Sequence, residues 1–328
     1  LPSPSVLNGT YHPERPSAPH RAAPHDQRSL GSVAWKINSE IVLLLGWNPA
    51  ILLQVAHPLV AEGVAEHSDF QADPWSRLSA TIRSYLRIVY GTAATARGEI
   101  RRLNRLHGDI RGAVRDDAAR ERFGERYRAR DPELSLWVHA TLVDSTLAAY
   151  EAWIEPLSRD RRARYYEETM PVGRAFGIPP ALLPPDLESF EAYLDRMLGP
   201  GGPVVVGDTA RELAETILRP PLGPALGAFG EGIGEANPRL GAWLDAIPPA
   251  AYEWLMWPAI GLLPVSVRQG YGLRWGVRER LVAGWLVAAW KAWRPLLPSS
   301  FRQMPQALAA DRRIGALSTI EDVDRLAG

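Results

Sequence analysis

The sequence predicts an all-α protein, with a flexible arm over residues 1–28 and a single large multi-helix domain over 29–328. Three observations carry the class. Apolar residues recur with helical spacing almost throughout from about residue 30. Asn48-Pro49, Asp73-Pro74 and Asp131-Pro132 each set a capping side chain ahead of a proline, and the first turn of a helix has no use for the N–H that proline lacks. No run alternates like a strand for more than a few residues, except "PVVVG" at 203–207.

The opening "LPSPSVLNGTYHPERPSAPHRAAPHDQ" is rich in Pro, Ala and Ser and lacks the apolar periodicity of a packed element. Asn48-Pro49 begins "AILLQVAHPLVAEGVAEHS", apolar nearly all round until residue 60 as a buried helix would be, with a kink expected at Pro58. Asp73-Pro74 opens "WSRLSATIRSYLRIVY", which Gly91 ends, and Thr92 caps the helix that follows. Asp131-Pro132 opens "ELSLWVHATLVDSTLAAYEAWIEPL". Further helices are expected at 158–176, 186–199, 207–218, 236–246, 249–262, 276–295 and 318–327, separated by Pro/Gly breaks such as "GIPPALLPP" and "LRPPLGPALG".

Composition narrows the function. The 37 basic and 37 acidic side chains cancel, so there is no overall electrostatic case for nucleic acid or an anionic membrane as a partner. Cysteine is absent, which removes disulfides, thiolate nucleophiles, iron–sulfur clusters and thiolate-ligated haem together. "RLVAGWLVAAWKAWRPLLP" is interrupted by Lys291 and Arg294 and is short for a membrane span, so it reads as a core or interfacial helix. With no leader-like apolar segment at the start, the expectation is a cytoplasmic protein with no transmembrane segment.

Of seven histidines, His12, His20 and His25 fall in the arm, and His57, His67, His107 and His139 fall in one helical block. In "EIRRLNRLHGDIRG", a turn of about 100° per residue lines Ile100, Leu103, His107 and Ile110 on one stripe, while Arg101, Arg102 and Arg105 point elsewhere. An imidazole on an apolar helix wall suits a haem iron; it equally suits a core histidine bonded to a carbonyl. Arg77 and Thr81 stand four apart on a flank of the stripe Leu78, Ile82, Tyr85 and Val89. A guanidinium and a hydroxyl there can bind a carboxylate, a haem propionate or bound oxygen, or can simply tie neighbouring helices. Neither a paired E-x-x-H nor an H-E-x-x-H occurs. Glu62 and Glu66 share a helix face with His57 roughly opposite, so these three do not converge on one ion. G-x-S-x-G is absent too, and the glycines of "AFGEGIG" follow no strand.

"GSVAWKINSEIVLLLGWNPAILLQVAHPLVAEGVAEHSDFQADPWSRLSATIRSYLRIVYGT", then "RLHGDIRG", then "YRARDPELSLWVHATLVDS" resemble the MpaB/rubber-oxygenase catalytic domain, and the likeness extends to "YGLRW" and "FRQMP". The resemblance implies a globin-like core that binds haem b through its iron, and an oxygenase that acts with O2 on a hydrophobic, isoprenoid or polyene, small molecule. By place in the motif series, His107 matches the proximal iron ligand. Arg77 and Thr81 match distal residues, while the distal lysine position is Ala80, which implies an open sixth coordination position and puts rubber cleavage itself in doubt. Glu62 or Glu66 stands nearest the distal glutamate described as a base. His57, His67 and His139 belong to the matched motifs as further residues of the cofactor region, His139 to orient the His107 helix or the haem edge. The alternatives are a haem-binding sensor or carrier without turnover, and a helical protein whose pocket takes another ligand or metal.

Overall fold

A computed structural model describes residues 32–67, 74–218 and 249–315, with backbone alone for 74–79 and 249–252. The arm with His12, His20 and His25, the capping Asp73, and the helices expected at 236–246 and 318–327 lie outside the described residues. The chain is mostly helical, as the periodicity requires.

After α1 (Val33–Asn38), α2 (Trp47–Val55) and α3 (Pro58–His67) replace the single kinked helix that the apolar run predicts. Ile41–Val55 and Pro58–His67 diverge by 104°. Pro58 has no N–H to continue the ladder, and the His57 carbonyl accepts from Val60 N and Ala61 N instead, so the proline starts a helix rather than bending one. Among the described residues no single helix is long and apolar enough to cross a membrane.

Next come α4 (Pro74–Tyr90) and α5 (Ala93–Asp109). The Thr92 hydroxyl accepts from Thr95 N at 3.2 Å, as the cap predicts. A short antiparallel hairpin follows, β1 (Arg111–Ala113) with β2 (Arg126–Arg128), enclosing α6 (Asp117–Phe123) and setting Gly112 opposite Tyr127. The sequence expectation had no strands there and one at 203–207. That segment is irregular: Val206 packs into the core, but no neighbouring strand accepts its backbone.

α7 (Pro132–Trp153) is the central helix, started by the Asp131 carboxylate accepting from Glu133 N. Its Trp137 is fully buried and donates its indole N–H to Leu53 O at 3.2 Å, which fixes α7 across α2. Around this pair the main core gathers side chains from α8 (Arg159–Ala175), α9 (Leu187–Leu198) and α10 (Asp208–Leu218). A second core region joins α11 (Pro249–Gly261) to α13 (Val277–Trp293) through Met256, Trp257, Ile260 and Ala283, with α12 (Val265–Gly270) between them. The described residues close with α14 (Ser299–Arg302) and a helical stretch over 305–315.

Candidate functional site

α4 and α5 form a helical hairpin about the Gly91–Thr92 turn. Its clamp is Glu99, 6% exposed, which accepts from Ser84 Oγ at 2.6 Å and from Arg102 Nη2 at 2.6 Å. The Arg102 hydrogen bonds, with Ser84 and nearby Arg87, hold the Glu99 carboxyl down at about 2. Arg102 therefore folds back over the hairpin instead of pointing outward as the stripe predicts. Ser84 and Glu99 stand equally far from the turn, so the antiparallel register can be stepped outward from them. On ideal parallel axes, one further heptad on each helix would set position 77 level with position 106.

His107 lies half-buried on the last turns of α5, as do Ile100, Leu103 and Ile110, so the inward stripe is present but not sealed by the described chain. Thr81 is exposed, where the sequence reading put it on a half-buried flank; Ile82 and Ser84 take the buried positions of that helix. Ala80 is exposed too. The Arg77 side chain lies outside the described residues.

Glu62, Glu66 and His67 sit on α3 against the β-hairpin. Arg115 approaches both carboxylates, Glu62 Oε2 at 4.0 Å and Glu66 Oε2 at 3.9 Å, consistent with their shared helix face. Glu62 is buried, whereas Glu66 accepts a 2.6 Å hydrogen bond from the Tyr127 hydroxyl. His67 is exposed and donates from Nε2 to Arg111 O at 3.0 Å. The end of α3 thus grips the chain only a few residues after His107.

The other two histidines are buried apart from this cluster. His57 packs its ring on Phe123 of α6, and its Nδ1 has no hydrogen-bond partner among the described residues. Desolvation, reinforced by Arg122, lowers it to about 4. His139 faces α8, where a Cβ on Gly173 would stand 3.2 Å from Nε2, an atom that also lacks a partner; burial holds it at about 4. Its link to the His107 helix is indirect, because Asn104 of α5 donates to Ala175 O at the end of α8, 3.0 Å away.

Sequence reasoning missed Glu99, Tyr127 and Arg115. The equal spacing of Ser84 and Glu99 from "GT" at 91–92 was the available signal for the first; nothing local announces the other two. Arg101, Asn104, Arg105, Gly108, Asp109 and Arg130 line an open surface groove on the other flank of α5, away from the His107 stripe. Among the described residues no group of three or more His, Asp or Glu side chains gathers to hold a metal ion. The donor set at His107 is a single neutral-type ligand on an apolar wall, which fits a metal whose remaining ligands come from a porphyrin.

Two uncharacterized proteins, one from Mycobacterium tuberculosis and one from Mycobacterium bovis, are each 26% identical to this chain over 153 residues, 45% of the chain and 57% of the relative. The chain therefore spans little more than half the length of these curated relatives. No solved structure matches it. A family model described as "ER-bound oxygenase mpaB/B'/Rubber oxygenase, catalytic domain" matches residues 35–293, most of the chain, and ends before the "FRQMP" segment at 301–305. The protein belongs to the MpaB/rubber-oxygenase catalytic-domain family.

Proposed function

We propose that the protein is a haem b-dependent oxygenase that acts with O2 on a hydrophobic small molecule, through a globin-like arrangement of its helices. The observation that carries this reading is His107, a half-buried imidazole on an apolar stripe of α5, in a hairpin that the Ser84–Glu99 bond fastens to the helix carrying Arg77. Family membership supports oxygenase chemistry in general. When bound, haem supplies the iron centre at which dioxygen is activated.

The chain's own groups have distinct parts to play. His107 would hold the iron through one ring nitrogen, with the other N–H given to an acceptor that fixes the tautomer. Arg77 and Thr81 would offer a guanidinium and a hydroxyl to an anionic group of the cofactor or to developing negative charge. A donor placed in that way is worth on the order of 10²–10³ in rate. Ala80 leaves that side of the helix without an amine, which keeps room for a ligand. Between the two carboxylates, Glu62 is the better candidate base: it is buried and, among the described residues, its ion-pair contact is the distant Arg115, while Glu66 also accepts from Tyr127. His57, His67 and His139 position elements around the site, His67 through β1 and His139 through α8.

Absorption spectroscopy tests the reading. Protein as isolated, or after hemin is added, is expected to show a Soret band that His107→Ala loses. A colourless wild type, or a variant with an unchanged spectrum, would falsify the ligand assignment. Dioxygen uptake with a reductant and a panel of terpenoids and polyenes then separates turnover from mere haem carriage.

A further inference from the structure

The tryptophans of the last third of the chain are not all core. Along α13, Val277, Leu281 and Trp285 recur every fourth residue and are 65%, 68% and 69% exposed. Ala288 and Ala292 continue the row to Leu296, 75% exposed, with Trp293 at its shoulder. On the packed helix α11, Trp254 stacks on Trp257 at 6.2 Å and is half exposed beside the start of the row. An apolar ribbon this continuous is not incidental surface.

The exposed charges on α13 itself are basic, while Glu253 stands exposed next to Trp254 on α11. Arg278, Arg280 and Lys291 are exposed, and among the described residues none has a carboxylate within ion-pair distance. The acid of the helix, Glu279, turns back to accept from Gly276 N at 2.8 Å, so its charge serves the helix start. The Arg278 guanidinium lies 5.4 Å from the centroid of the Trp257 ring.

We propose that this face of α13 docks on an anionic lipid bilayer, with Leu281 and Trp285 inserted at the headgroup boundary and Arg280 and Lys291 on lipid phosphates. Long aliphatic side chains, indoles with a polar N–H and a basic rim are the combination that an interfacial helix needs. Charge argues against a second copy as the occupant. A two-fold contact centred near Trp285 sets Arg280 of one molecule level with Lys291 of the other, a like-charge pairing that an interface avoids. The proposal is independent of the haem reading, and its test reads binding rather than activity.

Cosedimentation of the full chain with vesicles decides it. The wild type is expected to pellet with phosphatidylcholine mixed with phosphatidylglycerol, less so as salt rises, and its tryptophan emission should be quenched by brominated acyl chains. Leu281→Glu with Trp285→Glu, on a surface where folding is indifferent to them, should weaken binding at least about tenfold with an unchanged far-ultraviolet spectrum. Arg280→Gln with Lys291→Gln should lose binding to the anionic vesicles chiefly. Failure of the wild type to pellet, or equal pelleting by either pair of variants, overturns the proposal. So does a lipid-free dimer on size exclusion that the Leu281/Trp285 pair dissociates, because the occupant is then a second copy.

Discussion

Two imidazoles and one carboxyl set how this protein should respond to acid. His57 and His139 titrate at about 4 when folded, because burial penalises the charged ring. The unfolded chain takes up those protons near pH 6.5, so their contribution is complete above that value and is lost as pH falls toward 4. Asp144 on α7 works the other way. Desolvation outweighs the nearby Arg162 and raises it to about 6, so the folded state binds a proton first and gains stability below that pH. Between pH 7 and pH 5 each imidazole costs about 2 kcal/mol and Asp144 returns about 1, which leaves a net loss. Urea midpoints are expected to fall across that interval. Asp144→Asn should be more stable at pH 7 and should lose more of it on acidification; a variant whose pH profile is flat would refute the assignment of both histidines.

At the level of elements, the caps at Thr92 and Asp131 were legible and the hairpin strands were not. Asn48, expected as a cap, lies inside α2 after its N-cap Gly46 and donates to Met256 Sδ instead. Thr92 and Asp131 satisfy N–H groups two or three residues away, so sequence alone reveals them. The three-residue strands β1 and β2 owe their place to Tyr127, whose hydroxyl reaches back across sixty-one residues to Glu66 of α3, and no local pattern encodes that. Gly112 has a plain reason to be glycine: a Cβ there would collide with the Glu66 carboxylate and the Tyr127 phenol. Gly112→Ala is expected to cost about 1–3 kcal/mol by overpacking, measured as a shift in denaturant midpoint. The helix α5 and the half-buried stripe on which His107 stands were readable from spacing, whereas Thr81 was expected deeper than it is. The apolar run through Pro58 misled for a similar reason: periodicity reports burial, and a proline decides separately whether one helix or two will bury it.

For the molecule as a whole, the last segment is a strap that returns to the first. Arg294 grips the buried Glu40 through Nε at 3.0 Å and Nη2 at 2.5 Å, Met304 N donates to Ser39 O at 2.7 Å, and Trp35 donates its indole N–H to Asp311 at 2.9 Å. Removing the cation strands a desolvated carboxylate, so Arg294→Ala is expected to cost about 3–5 kcal/mol in equilibrium unfolding. Against that global closure the α4–α5 pair is fastened unevenly, with its Ser84–Glu99–Arg102 knot within about three turns of the loop and its histidine near the other tip. Amide hydrogens around 84–99 should therefore outlast those of 103–109 in exchange, and adding hemin should slow the second group alone. If the proposed haem sits at that tip, it could leave and return while the knot stays tied, so a preparation that bleaches on storage would still be folded protein, ready to be recoloured.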